Sequence, residues 1–519
     1  MNARQGSQAV AVLLGLLAGC QTTSSRHEAA RIPSPATAYL QSAKTAASSQ
    51  SRTGSSEIIR TSNVEPINDG KTSPETAAKI QSEVVVPASA ESAAMELSIG
   101  LEDAVATSLV QNPDLVAIRG QEGVSSAALG VAQTYPWNPF IQSQILPSGN
   151  PRHPGNGPGS GSGKGNYYIW VMQRFELAHQ RRHREESAAA ALNQVRWNIQ
   201  QMELTNIAQT TRLYFTAVYQ HDLYELAKES AALHEKLLGI VERRFKANLA
   251  TAAEFTTAKV AARQNRKQAD LGEATYHAAL LALRQQLNIP LTESMELLDR
   301  LDNYSWQPVR SLESSPAEEG TGAIAATSLA AELVEGRPDV MAASAGIMVA
   351  SANEQLALAA RIPDLQAGPI YETADDGTRF MGFRVQTDIP VWNNGNPLAH
   401  QRHMEWHQQS LTFNQLRTRA ALEAQMAIDR YERARRLATD SPVELSRFVD
   451  QTPPELREIL AQFEAGQADV LAVHATQNNL ILERRTHLDL LNELALSAAG
   501  VVQATAVPLN HLITGRAKQ

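Results

Sequence analysis

The chain has 519 residues, of which 43% are hydrophobic and 5% aromatic, and its formal net charge is −8. This length suits more than one ordinary domain or one extended architecture. Because the basic residues are outnumbered and not clustered, the composition argues against a general nucleic-acid-binding protein.

Residues 1–20 have the order of a bacterial signal peptide. Arg4 precedes an apolar run, and small residues then lead to Cys20, the single cysteine. No later stretch reaches the roughly 18 uninterrupted apolar residues that a spanning helix needs. Residues 17–20, Leu-Ala-Gly-Cys, are similar to a lipobox, which implies that Cys20 is acylated and becomes the mature N-terminus. The alternative is an ordinary signal peptide with a chance cysteine.

Residues 21–95 predict a flexible tether, because they are rich in Ser, Ala, Thr and Glu and have no sustained period. Ordered structure is predicted from residue 96 onward. A short first helix is predicted to end at Asn112-Pro113, since proline lacks a donor and restricts the residue before it.

Two pairs of strands are predicted, and the region between the first helix and the long helix of each half is expected to be strand-like. The predicted strands lie at about residues 137–148, 166–177, 365–373 and 379–391. Their polar and apolar alternation suits a wall between lipid and water. The polar set that is predicted to face the water comprises Gln142, Gln144, Arg384, Gln386 and Asp388.

A long antiparallel pair of helices follows each pair of strands. The first is predicted at about residues 181–288 and the second at about 397–503. A helix from residue 181 to 247 would be about 100 Å long, so it has to lie beside other rods. Prolines at 442, 453 and 454 are predicted to break or bend the second long helix.

Several landmarks occur twice in the same order, which indicates an internal duplication. The sequence NPDLVA at 112–117 recurs as RPDVMA at 337–342, and RFKAN at 244–248 recurs as QFEAG at 462–466. LAHQR also occurs twice, at 177–181 and 398–402. The predicted units are a first repeat at 96–302, a joint at 303–322, a second repeat at 323–505 and a C-terminal tail at 506–519.

Over residues 97–505, the order of these motifs resembles the TolC-like outer membrane efflux proteins. Within that family, three motifs are most similar to the cobalt-zinc-cadmium (CzcC-like) branch. They are QRFELAHQRR at 173–182, RIPDL at 361–365 and IPVWNNGNPLA at 389–399.

The resemblance implies a mainly α fold with a small membrane β part. Each protomer of a homotrimer gives four strands to one 12-stranded barrel and its long helical hairpins to a periplasmic tunnel. The implied function is a passive, lipid-anchored outer-membrane duct without a cofactor, in a tripartite efflux or export system. A periplasmic adaptor and an inner-membrane pump of the resistance-nodulation-division type are the implied partners, and heavy-metal cations or drugs the implied cargo.

A structural or adhesive coiled-coil lipoprotein is the alternative function, although it would need neither lipid-facing alternation nor its duplication. An enzyme is not expected, because the sequence contains no complete catalytic constellation. His400, His403 and His407 have the spacing of one helical face. Polar residues at a hydrated junction are preferred over metal ligands, since no Cys or acidic cluster completes a site.

The turns at the ends of the long helices are predicted to contact the adaptor, because turn residues free backbone groups to face a partner. The first tip consists of Asn248, Leu249, Ala250 and Thr251. The second consists of Gly466, Gln467, Ala468 and Asp469.

Overall fold

The structure is a computed structural model, and it describes residues 97–146, 166–309, 330, 332–374, 378–440 and 453–515. Cys20, the predicted tether and Pro442 lie outside the described residues. None of the helices in the described ranges has an apolar stretch long enough to cross a membrane.

Two helices in direct succession open the first half. Helix α1 spans Leu101–Gln111 and α2 spans Pro113–Gln133. Asn112 caps α2 by accepting hydrogen bonds from two main-chain N–H groups of its first turn. Pro113 begins α2, where its missing donor removes no hydrogen bond. The helix boundary was predicted, but the strand-like character expected after it was wrong for residues 113–133, because α2 follows without a loop.

The first long hairpin consists of α3, Gln180–Lys246, and α4, Ala252–Leu287. The 67 residues of α3 correspond to about 100 Å. Helix α4 begins with a capping box, in which Thr251 and Glu254 satisfy each other's main-chain N–H groups.

The second half repeats this order with an interrupted long helix. Its helices are α5 (Pro338–Ala359), α6 (Asn396–Asp440), α7 (Pro454–Glu464) and α8 (Val470–Thr505). Pro453 and Pro454 interrupt the second long helix, as predicted: α7 begins at Pro454, and Pro453 before it has a non-helical backbone with a ψ of 144°. Along its length, α3 packs against α2, α4, α5 and α8, so it lies at the centre of the helical layer.

Strands make three small sheets in the described residues. In chain order they are β1 (Leu97–Ile99), β2 (Phe140–Leu146), β3 (Asn166–Phe175), β4 (Met295–Leu297), β5 (Tyr304–Trp306), β6 (Leu365–Thr373), β7 (Arg379–Thr387) and β8 (Ile513–Gly515). The largest sheet is antiparallel, with the order β2-β3-β6-β7. Its ladder ends at Thr387, so the predicted strand at 379–391 is four residues too long. Pro390 lies in this excess segment and has no N–H to donate to a neighbouring strand.

The other two sheets tie distant parts of the chain together. Strand β1 pairs in parallel with β4, and β5 pairs in antiparallel fashion with β8. The predicted joint therefore contains a strand, and its partner lies in the predicted C-terminal tail. Leu509 and Leu512 of that tail are buried. Residues 506–515 therefore pack against the rest of the fold, because their apolar side chains join the main core.

The main core surrounds the middle of α3, where Tyr214 and Phe215 are fully buried. The Tyr214 and Tyr304 hydroxyls each donate to Oδ2 of Asp299 at 2.7 Å. Burial and the Asp299 carboxylate raise the pKa of both tyrosines well above its ordinary value. This group of three side chains fixes the midpoint of α3 to the segment that follows α4.

Candidate functional site

The two faces of the four-stranded sheet differ in polarity. On one face, the outer face, large apolar side chains are exposed on all four strands. Its exposed members are Ile141, Ile145, Tyr167, Ile169, Val171, Phe175, Tyr371, Met381, Phe383 and Val385. An exposed apolar surface of this extent marks a contact with lipid or with another protein.

The opposite, inner face carries most of the predicted water-facing residues. The register sets Gln142 opposite Trp170 and Gln144 opposite Tyr168, while Arg384 and Gln386 follow the same alternation on β7. The Arg384 guanidinium carbon lies 5.0 Å from the centre of the Trp170 ring. Its NH2 group donates to Oε1 of Gln386 at 3.3 Å. The structure thus brings four of the five residues to one face, and Asp388 follows the end of β7.

Strands β3 and β6 approach closely at Gly368. A Cβ atom there would lie 1.8 Å from the main-chain oxygen of Val171, far inside van der Waals contact. Pro369, the next residue, has no N–H, and the ladder between β3 and β6 omits this position. Glycine is therefore required at 368 by the close approach of the neighbouring backbone.

This sheet has two outer strands, β2 and β7, one at each edge. Each outer strand has one side whose N–H and C=O groups have no neighbouring strand within the described chain. In water such edges can be solvated, but in hydrocarbon each unpaired group costs several kcal/mol. This sheet can therefore lie in a membrane only if its edges are paired.

The two predicted tips have the same backbone geometry. Asn248 and Gly466 both occupy the left-handed region, with φ values of 58° and 78°. Asparagine and glycine are the residues that adopt it at least cost. Leu249 is 69% exposed, Ala250 follows it, and Thr251 caps α4. Gln467, Ala468 and Asp469 make the second turn, with Asp469 preceding α8.

Above the tips, the two hairpins are joined by a contact that sequence analysis missed. The Arg244 guanidinium donates to the main-chain oxygen of Phe463 and lies 4.5 Å from the centre of its ring. Phe463 is buried, whereas Phe245, the phenylalanine of RFKAN, stacks on Phe255 with the ring centres 5.3 Å apart. The phenylalanine that recurs in RFKAN and QFEAG was the available signal. The buried residues of this tip cluster are Leu237, Val241, Ala258, Phe463, Val470 and Val473.

The candidate histidines lie on the first turns of α6. Nδ1 of His403 is 2.9 Å from Oε1 of Glu354, and His400 and His407 are exposed. The described ranges contain no group of three or more His, Cys, Asp or Glu side chains that could hold a metal ion. The two LAHQR segments are not equivalent, because His179 precedes α3 with a φ of 58° whereas His400 lies within α6.

No protein-family model matches the sequence. The pyoverdine export outer membrane protein OpmQ of Pseudomonas putida is 23% identical over 310 residues, which is 57% of this chain and 60% of that protein. OpmQ of Pseudomonas aeruginosa is 26% identical over 216 residues, 40% of this chain and 42% of that protein. The chain thus aligns with less than two thirds of the length of either relative.

Solved outer-membrane channels superpose over most of the chain. CusC gives a TM-score of 0.59 at 16% identity and covers 78% of this chain and 91% of CusC. The Neisseria gonorrhoeae MtrE outer membrane channel gives 0.58 at 17% identity, covering 79% and 90%. The protein has the fold of these outer-membrane channels. At these identities the likeness shows the fold alone.

In this channel fold, α3 links the two candidate functional regions. It begins five residues after β3 and ends at the first tip, so sheet and tip lie at opposite ends of a helix about 100 Å long. In the second half, α6 and α7 lie between β7 and the second tip, and α8 follows that tip.

Proposed function

We propose that this protein is the passive outer-membrane duct of a tripartite export system and that it acts as a homotrimer. The observation that carries the proposal is the four-stranded sheet, with its apolar outer face, its polar inner face and its two outer strands without neighbours. A sheet of this kind suits a position between lipid and water once its edges are paired.

Three copies together would pair every sheet edge and would supply enough strands to enclose a passage. Four strands cannot enclose a solute, because even eight strands leave room only for side chains or a small ligand. If β7 of each protomer pairs with β2 of the next, twelve strands close without an edge. The outer face then meets lipid, and Gln142, Gln144, Arg384 and Gln386 line the passage, with Asp388 at its periplasmic rim.

The tips are proposed to dock a periplasmic adaptor. Both turns lie at the end of the molecule farthest from the sheet, and Leu249 offers an exposed apolar side chain there. The adaptor would connect the duct to an inner-membrane pump, for which a resistance-nodulation-division type is proposed, and the pump would supply the energy. Cross-linking from Leu249 and Gln467 to the adaptor is the test, and cross-links to the barrel alone would contradict this placement.

A lipid on Cys20 is proposed as a second membrane anchor, on the strength of the Leu-Ala-Gly-Cys motif. Mass spectrometry of the mature protein should find an acylated N-terminal cysteine. An unmodified N-terminus at another residue would contradict the anchor without affecting the duct.

For the cargo, the CzcC-like motifs and the aligned relatives lead to different expectations. The motifs favour divalent metal cations, whereas the relatives are described as exporting pyoverdine. We propose the metal-cation branch. A deletion strain should then lose tolerance of zinc, cobalt or cadmium, and loss of pyoverdine secretion with unchanged metal tolerance would reject it.

The duct itself is tested with purified protein. In planar bilayers it should conduct ions without an energy source, and native mass measurement should give a trimer. Phe383→Lys, on the outer face, should hinder insertion at a cost of about 2–4 kcal/mol, because it sets a charge against lipid. Gln386→Lys, on the inner face, is the matched control and should insert normally. A stable monomer without conductance would reject the proposal.

A further inference from the structure

A buried pair of histidines joins the two hairpins close to the tip cluster. His234 on α3 and His474 on α8 are 1% and 8% exposed. Their ring centres are 5.3 Å apart, and the ring planes are inclined by only 24°. They adjoin the tip cluster, because Leu237 lies one turn beyond His234 and Val473 immediately precedes His474.

The hydrogen bonds of this pair favour the neutral form of both rings. Nδ1 of His234 lies 2.9 Å from the Ser230 main-chain oxygen. Because that oxygen only accepts, Nδ1 carries the proton of the neutral ring. Nε2 of His474 is buried and has no hydrogen-bond partner in the described structure. A further proton on either ring would therefore put a positive charge beside the other ring in a buried position.

Among the described residues, no carboxylate forms a hydrogen bond or ion pair with either ring that could offset such a charge. The polar neighbours are neutral: Ser230 donates to Oδ1 of Asn265 on α4, and Gln477 is buried one turn beyond His474. Glu229 on α3 is engaged with Arg484 on α8 at 3.6 Å. The other charged side chains near the pair on these helices, and those of α7, are exposed: Glu235, Lys236, Arg263, Arg266, Lys267, Glu455, Arg457, Glu458, Glu464 and Asp469.

We propose that the His234–His474 pair is a pH-sensitive lock, which holds α3 against α8 at neutral pH and releases the two hairpins near their tips when the rings are protonated. The lock concerns two hairpins of one chain, so it does not depend on the proposed duct.

The sign of the effect follows from the burial of the two rings. Burial lowers the pKa of His234 and of His474, and for His474 the neighbouring ring lowers the pKa further. When α3 and α8 separate, the pKa of both rings would return to the ordinary histidine value of about 6.5. Below that pH the open form binds protons that the closed form excludes, so acidification favours opening. Each histidine contributes at most about a tenfold rise in the opening constant between pH 7.5 and 5.5, or about 100-fold for the pair.

Amide hydrogen exchange of the full-length protein in detergent tests the lock. The readout is the ratio of exchange rates at pH 5.5 and 7.5 for residues 230–241 and 470–477, corrected for intrinsic chemistry, under conditions in which exchange reports the open population. The wild type should show a ratio well above one, up to about 100. A ratio near one is expected for the double variant His234→Gln/His474→Gln and for His234→Phe/His474→Phe. Either of the two is sufficient for the test if the other does not fold.

His277→Gln is the matched control, because His277 lies on α4 with its side chain 62% exposed. It should keep the wild-type ratio. A wild-type ratio near one would overturn the lock, and so would a double variant that keeps the wild-type ratio.

Discussion

Arg244 and Phe463 hold the two hairpins together just above their tips. The guanidinium of Arg244, at the end of α3, donates to the main-chain oxygen of Phe463 and covers its ring, near the end of α7. Because Arg244 lies on α3 and Phe463 on α7, this contact links the two hairpins. The tips consequently share one small core instead of being independent turns.

Loss of the Arg244 side chain should loosen the tips. Arg244→Ala removes a charge-assisted hydrogen bond and a cation–π contact, which together contribute about 1–2 kcal/mol. Amide exchange in residues 456–470 should accelerate accordingly. Arg243→Ala is the control, because that side chain is exposed and bonds only within its own helix; it should change local stability by less than about 0.5 kcal/mol. Equal effects of the two variants would contradict the contact's role.

The left-handed turn at Gly466 gives a second prediction. Gly466→Ala should destabilise the second tip by about 1 kcal/mol, because alanine is strained at positive φ although its Cβ would meet no atom within 4 Å. Gly239→Ala, within α3, also meets nothing within 4 Å and should stabilise the helix by about 0.5–1 kcal/mol. Thermal unfolding of both variants measures the difference, and shifts of the same sign would refute it.

Gly368 provides a third prediction, on the sheet. Gly368→Ala should prevent correct pairing of β3 with β6, because its Cβ would lie 1.8 Å from a main-chain oxygen. Gly382→Ala is the matched control, since its Cβ would lie 3.4 Å from a side-chain methyl group of Ile370, which is ordinary van der Waals contact. Folded protein recovered from membranes should fall severely for the first variant and little for the second. Similar recovery for both would show that the strands can separate without loss of the fold.

The two buried tyrosines predict a loss of stability at alkaline pH. Their pKa is raised in the folded protein, so the stabilisation is complete below the ordinary tyrosine pKa of about 10 and is lost as the pH rises above it. Each should contribute a loss of about 1.4 kcal/mol per pH unit above 10. The free energy of unfolding of Tyr214→Phe/Tyr304→Phe should be lower at pH 8 but should fall less between pH 10 and 11. An unchanged slope would contradict the assignment.

Local signals in the sequence predicted the long helices and the strands of the largest sheet. Contacts between residues far apart in the sequence could not be predicted. The alternation at Phe383 and Arg384 identified β7, because side chains in a strand alternate between two faces whatever the strand pairs with. The pairing of Tyr304–Trp306 with Ile513–Gly515 could not be predicted, since three residues have no usable period and the partners are about 200 residues apart in sequence. The stacking of His234 on His474 escaped for the same reason, because helical spacing shows which face is buried but not what covers it.

Because α3 is one unbroken helix held at its midpoint, it can tilt as a rigid rod around that point. Tyr214, bound to Asp299, lies almost midway between Gln180 and Lys246, so each arm is about 50 Å long. A rigid tilt of about 2° around that point moves both ends by about 2 Å, in opposite directions. A displacement at the tip would therefore be transmitted to the strand end beside Gln180 without any change in the helix itself.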